Sequence, residues 1–431
     1  MTSTRTSNDT HLTQRTARWA FWLNALNGMF FTFAETLTDP NLVLVWFVSR
    51  LTSSNVLLGV IGVLGGAGWF LPQLFVSSWA QQQSRQMVIY RGTSLLRLVI
   101  WLMLAALLWW VQSPGLLLLL FFVLFALIRV TAGIAGIPFL EITAKTVPVR
   151  WRGRLFGLRL LLGGLCALAG SRLVAAVLGG VLLPYPRDYA LLIFVAALAA
   201  GVGMFVFCLI AEPPAEPRTG ARLSVQMGRG WQALHTHPDY RYLLLGRALM
   251  FLGLGAIPFY TVLARRTLGA PETAVGDYLA VSTLVKLLIN YPIGWLADAK
   301  GRRWVLRAAA LGWALTALLA LGLQLAFQSG ALSGLGVPAY WLAYPLFIGA
   351  ALFSPADWVA GQNMLLDLAP AAERPLFLGY ANTLLGVVSL LGGLAGGLVD
   401  VFGLFPFFGA AVAINLLAWW SLGRIAAQRN V

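Results

Sequence analysis

Twelve stretches of predominantly apolar residues, parted by short polar breaks, govern what this chain can become. A helix needs about 20 such residues to cross a bilayer, because in hydrocarbon every backbone N–H and C=O must be bonded within the segment. The stretches fall at 18–48, 54–80, 88–112, 115–144, 154–182 and 188–211, and then at 241–266, 273–297, 304–328, 337–367, 374–400 and 403–424. With 59% hydrophobic and 10% charged residues among 431, the composition is too apolar for a protein whose main solvent is water. The expected fold class is therefore all-α and integral to the membrane. Disorder is excluded, and so is a disulfide-stapled domain, since the two cysteines, Cys166 and Cys208, both lie inside apolar stretches and are expected to be buried and inert.

The net charge of +15 would in a soluble chain suggest nucleic acid, but here the bases serve topology. Of the 30 lysines and arginines, 21 fall on the side that holds the amino terminus, 4 on the opposite side and 5 inside spans. Positive loops stay in the cytoplasm, so both termini are expected there. The polar opening from Met1 to Ala17 has no apolar core before a small-residue cleavage site and does not read as a signal peptide. Arginine outnumbers lysine 27 to 3, which suggests a GC-rich genome and a bacterial cytoplasmic membrane. The expected organisation is a cytoplasmic tail at 1–17, a six-helix bundle at 18–211, a cytoplasmic linker at 212–240, a second six-helix bundle at 241–424 and a tail at 425–431. His235, His237 and Asp239 in that linker make an incomplete ligand set, and no metal is expected.

The chain also matches itself at about half its length. Pro148, Arg152 and Gly157 recur as Pro370, Arg374 and Gly379, and the first helix of each half carries a proline, Pro40 and Pro258. The loop after the eighth span reads Gly294-Trp-Leu-Ala-Asp298-Ala-Lys-Gly301-Arg302-Arg303. It resembles the G-x-L-a-D-r-x-G-r-r signature of the major facilitator superfamily, at the place where that family repeats it. The first-half counterpart, Ser77 to Gln86, lacks the acid and departs from the pattern. The resemblance covers essentially the whole chain and implies twelve helices in two pseudo-symmetric six-helix bundles. A glycine at the helix end permits close packing, an aspartate can satisfy free N–H groups at a neighbouring helix start, and arginines can pair with acids. Asp298 is expected near the start of helix 11 or helix 5, and Arg302 near Asp367, as a cytoplasmic latch that breaks when the cavity opens inward.

Charges within spans are costly and usually face protein or water. At about 1.5 Å per residue, Glu35, Arg129, Arg172, Lys286 and Asp357 all lie about 20 to 25 Å from the nearest basic loop, in one layer. Transporters of this kind bind solute and coupling ion in such a layer. Ion pairs are the structural alternative: Glu35 with Arg129 or Arg172, and Lys286 with Asp357. Arg97 and Arg247, about 9 Å in, are expected to snorkel. Glu141, beside a basic loop, is expected to pair with Arg85 or Arg154. Glu35, with Asp39 and Pro40 in a broken helix, is the first candidate for a proton site, because burial favours a neutral acid and a close arginine the carboxylate. Asn24, Asn27, Asn290 and Asn382 add amides, and Tyr260 and Tyr278 add hydroxyls.

An enzyme would want a nucleophile with its base, a metal cluster or a nucleotide loop, and the spans offer none. The expectation is a secondary active transporter without a cofactor, monomeric, proton-coupled and moving a small solute by alternating access. Three bases to two acids in the layer lean towards an anionic organic solute. A drug or amphipathic-compound exporter is the alternative, although the fifth span lacks the Gly-Pro pair of the drug-exporting branches; a membrane-embedded enzyme or sensor is the other. Membrane lipid is the expected surrounding partner and nucleic acid is not expected.

Overall fold

The computed structural model describes residues 14–180, 182–215, 223–332, 336–370, 373–393 and 395–426. Among them there is helix and no strand. The helices are α1 (Gln14–Leu37), α2 (Val43–Leu51), α3 (Asn55–Gln81), α4 (Met87–Trp110), α5 (Pro114–Thr146), α6 (Val149–Leu178), α7 (Arg187–Cys208) and α8 (Leu223–Thr236). The second half continues with α9 (Pro238–Gly253), α10 (Ile257–Val262), α11 (Ala274–Lys300), α12 (Arg302–Gln328), α13 (Tyr344–Ala356), α14 (Gln362–Leu368), α15 (Arg374–Gly393), α16 (Ala395–Phe402) and α17 (Leu404–Leu422). Ten helices or continuous helical runs among the described residues are long and apolar enough to cross a membrane. The segments 14–51 and 55–81 are helical too but stand outside that ten.

The first expected span divides into α1 and α2 at Pro40. Proline has no N–H and pushes the residue before it out of the helical region, so the ladder must stop. The chain restarts because Asp39 Oδ1 accepts the N–H groups of Asn41 and Leu42, both at 2.9 Å. In the second half the corresponding run passes through a 3-10 turn at Leu254–Ala256, then α10 with Pro258 in its first turn, then a π-helical turn at Leu263–Thr267. Both interruptions rest on glycines of α3. A Cβ on Gly65 would lie 2.9 Å from the Pro40 ring, and one on Gly62 would lie 2.5 Å from the Pro258 ring. Thr261 Oγ1 ties the two breaks together by donating to the Asn41 carbonyl at 2.8 Å.

Within the first half α1 packs on α6 and α7, and α5 on α3 and α4; within the second, α17 packs on α9 and α12, and α11 on α13. The halves meet along α6 with α11 and α3 with α15 and α16. Lipid-facing stripes follow the helical repeat: Phe194, Leu198, Val202 and Phe205 on α7 are exposed at spacings of three or four residues. Several sequence expectations shift. The fifth span begins at Val149 and ends at Leu178, about one turn before 154–182, because Pro148 serves as the helix start. The linker holds the helix α8, which packs on α9 and α15. Residues 1–13, 216–222 and 427–431 of the expected tails and linker lie outside the described residues. Cys166 and Cys208 are half-buried rather than buried, and neither is in a disulfide.

Candidate central cavity

Two adjoining cavities lie between the halves, one of about 370 Å³ and one of about 320 Å³. Glu35, Asp39, Asn41 and Ile257 line both and so form the partition. The larger is walled by Phe31, Trp101, Phe125 and Phe251, with Arg97 and Arg129. The smaller is more hydroxylated, with Thr283, Ser354 and Lys286 on its wall.

Of the residues expected at the site, Glu35, Asp39, Arg129 and Lys286 come together here. Arg129 Nη1 stands 3.4 Å from Glu35 Oε1, while its other terminal nitrogen donates to the Gly65 carbonyl beside the Pro40 break. Glu35 keeps a side-chain exposure of 53%. Lys286 belongs to none of the ion pairs within 4.0 Å among the described residues, and its neighbour Asn290 donates to the Lys286 carbonyl at 2.5 Å.

The other expected residues are engaged elsewhere. Asp357 does not meet Lys286; it takes Arg247 in a two-bond fork, both bonds 2.8 Å, in the π-helical turn Asp357–Gly361. The expectation that Arg247 snorkels is corrected: its side chain is 1% exposed, because the acid lies within reach on the facing helix and makes burial tolerable. Arg97 does not snorkel either. It is 4% exposed, donates to Met204 Sδ at 2.9 Å and lies 5.1 Å from the Phe31 ring. Arg172 pairs with Asp277 of α11 at 2.8 Å rather than with Glu35. Asn24 and Asn27 are buried under Arg159, which donates to the Asn24 carbonyl and side chain at 2.5 Å and to Asn27 Oδ1 at 3.1 Å. Asn24 passes its own amide hydrogen to Thr143 and Asn27 to the Gly203 carbonyl. Asn382 accepts from Gln362 at 3.5 Å. Tyr278 donates to the Tyr340 carbonyl and Tyr260 stacks on Phe408. In the linker His235 meets the Trp231 carbonyl, His237 the Phe377 ring and Asp239 the Ala426 N–H, so the three point to separate partners.

At the basic end, Arg302 forms an ion pair with Asp367, and Arg303 donates to the Gly423 carbonyl at 2.5 Å. Gly301 adopts φ of +89°, a left-handed turn that lets α12 start directly after α11. A Cβ on Gly294 would meet nothing within 4 Å, so close packing is not what that position provides. Asp298 is exposed and caps no helix among the described residues, and Glu141 likewise forms no ion pair among them. The expected pairing of Arg302 with Asp367 is present, and both residues belong to the second half. On the first-half side, where the signature lacks its acid, Glu212 does that work. It accepts the N–H groups of Gln86 and Met87 at 2.9 and 2.7 Å and pairs with Lys145 at 2.6 Å. The side chains of Ser77, Ser78, Ala80 and Gln81 lie outside what is described.

The opposite end is closed by bonds that run from half to half. Arg50 pairs with Glu272; Arg265 donates to Ser49 Oγ at 2.5 Å and Arg266 to the Thr52 carbonyl at 3.0 Å. Asp400 accepts from the N–H groups of Asn55 and Val56 at 3.1 and 3.3 Å, capping the start of α3. A Cβ on Gly396 would fall 2.1 Å from the Asn55 carbonyl oxygen, so only glycine lets the chains meet there.

A family described as the Major Facilitator Superfamily matches residues 243–429, the second half with its Asp298 to Arg303 loop. The second half of the chain is thus similar to members of that superfamily. Over 184 residues the chain is 28% identical to the tetracycline resistance protein, class H, of Pasteurella multocida, a match spanning 42% of each chain. Solved transporter structures share the fold across both halves. The nucleoside transporter NupG superposes with a TM-score of 0.70 at 11% identity, covering 95% of this chain and 99% of that one. A D-xylose-proton symporter gives 0.67 at 15% identity, covering 96% and 97%.

Proposed function

We propose that this protein is a secondary active transporter of the major facilitator superfamily that carries a small solute across a cytoplasmic membrane by alternating access, with Glu35 as its proton site. The observation that carries the proposal is the cavity pair between the halves, with ionisable walls and an outer end tied across the halves by Arg50, Arg265, Arg266 and Asp400. At the basic end the charged bonds among the described residues stay within one half or involve the linker. This is the arrangement of a carrier open towards the basic side, which the charge asymmetry of the loops assigns to the cytoplasm. The solute is an organic anion, favoured by three cations, Arg97, Arg129 and Lys286, against two acids, Glu35 and Asp39, on the joined walls.

Glu35 is suited to proton coupling because its carboxylate faces the cavity and holds Arg129 by one bond only. Protonation would release Arg129, which also holds the backbone beside the helix break, so a proton would alter the wall that a solute touches. The test is proton movement in proteoliposomes with organic acids, sugars and cationic dyes, for the native chain and for Glu35→Gln. A solute-dependent pH change present in the native chain and absent in Glu35→Gln is the expected outcome. Solute uptake with no pH change in either protein would sink the coupling and leave Glu35 structural. Export of an amphipathic compound is the second reading, favoured by the tetracycline resistance relative; accumulation of cationic dyes in inverted vesicles would select it.

A further inference from the structure

Resting on the transport reading, we infer that the solute is a monoanionic organic carboxylate with an aryl or similarly apolar body, its carboxylate held by Lys286, Thr283 and Ser354 and its body by the aromatic wall around Trp101. The two compartments differ in chemistry. The larger is dominated by Phe31, Trp101, Phe125 and Phe251, an apolar enclosure of about 370 Å³, within the range of small-molecule sites. Of its two guanidinium groups, Arg129 bonds Glu35 and the Gly65 carbonyl through its terminal nitrogens, and Arg97 donates to Met204 beside the Phe31 ring. An aryl group fits there by stacking and by displacing water from apolar surface.

The smaller compartment sets hydroxyl groups beside a cation that belongs to no ion pair among the described residues. Thr283 and Lys286 are three residues apart on α11 and share one face, and Ser354 reaches the same cavity from α13, which packs on α11. Neither hydroxyl makes a hydrogen bond among the described residues, whereas Thr32, Thr36 and Ser282 beside them donate to backbone carbonyls. One ammonium and two hydroxyl donors on one wall suit the two oxygens of a carboxylate. Of the acids on that wall, Glu35 is held by Arg129, while Asp39, with one oxygen held by two backbone N–H groups, feels the charge of Lys286 without forming an ion pair within 4.0 Å, so a solute carboxylate would share the ammonium with it. The cations exceed the acids by one on the joined walls, so one negative charge on the solute balances them.

The experiment is equilibrium binding of phenylpropanoate, phenylpropanol, phenylpropylamine and acetate to the full chain in lipid nanodiscs, followed by counterflow in proteoliposomes. Phenylpropanoate is expected to bind best, with the alcohol and the amine weaker by about tenfold or more, the worth of one charge-assisted contact. Lys286→Gln should lose the same factor while Lys286→Arg retains binding, and Trp101→Ala should narrow the advantage of phenylpropanoate over acetate. Thermal melting of each variant separates lost binding from lost fold. An amine or alcohol that binds as tightly as the acid, an unchanged affinity in folded Lys286→Gln, or no binding of phenylpropanoate at millimolar concentration overturns the assignment. Counterflow separates the two levels: carriage of the amine alone removes this site and keeps the transporter, whereas phenylpropanoate that binds through Lys286 without crossing keeps the site and removes transport.

Discussion

Arg247 and Asp357 lie at a depth that a count along their helices can give, but the direction in which each points is set only by packing. A rise of about 1.5 Å per residue put Asp357 in the layer of Glu35 and Lys286 and Arg247 near the basic loops. In the fold, Arg247 extends inwards and closes a fork on Asp357, with Gly361 so near that a Cβ there would lie 2.8 Å from the carboxylate. Asp357→Asn leaves a guanidinium that is 1% exposed without its counter-charge, which is expected to cost about 3 to 5 kcal/mol. A lowered melting temperature in detergent and reduced membrane abundance would register it, and a melting curve equal to the native one would contradict it. Four charged candidates, Glu35, Asp39, Arg129 and Lys286, were legible as cavity residues because a charge in an apolar span has few places to go. The asparagines were not, since an amide can serve a buried network as readily as a solute: Asn24 and Asn27 are occupied by Arg159, Thr143 and Gly203.

Helices show a similar division between what local chemistry dictates and what neighbours decide. Pro40 announces the break between α1 and α2, and Asp39 just before it supplies the cap that starts the next helix. The π-helical turns at Leu263–Thr267 and Asp357–Gly361 follow Pro258 and Pro355, but those prolines do not stop their helical runs. The first turn of α4 is set from a distance, by Glu212, whose side chain is 1% exposed and accepts two of the helix's opening N–H groups. Glu212→Gln keeps the shape but removes the charge that favours a helix start and pairs with Lys145, an effect of about 1 to 3 kcal/mol. Faster amide exchange confined to the opening turn of α4, with a modest loss of thermal stability, is expected; exchange unchanged at Gln86 and Met87 would show that the cap is dispensable. The degenerate Ser77 to Gln86 segment gave no hint of this acid, because Glu212 is more than a hundred residues further along the chain.

For the molecule as a whole, two backbones meet at Gly396 and Asn55 at the end remote from the basic loops, the outer end in the proposed topology, and closure there is expected to depend on that contact. Gly396→Val forces them apart, and the arrangement opened towards the outer side should gain population. In a Cys166→Ser, Cys208→Ser background, Asn41→Cys reports from the wall shared by both cavities. A membrane-impermeant maleimide applied to right-side-out vesicles is expected to label Asn41→Cys several-fold faster when Gly396→Val is added. Equal labelling rates would show that this contact does not hold the end shut.

The Arg302 pair with Asp367 joins α12 to α14 inside a single half. It therefore acts as a brace rather than a bolt. A body that swings as one piece transmits motion from one end to the other only as well as it resists bending, and its two ends lie on opposite sides of a roughly 30 Å hydrocarbon layer. Slack at the brace would let the basic end move while the far end stayed shut. In the proposed transporter, Arg302 would thus protect the stiffness that makes the two entrances answer to each other, which is the difference between a carrier and a leak.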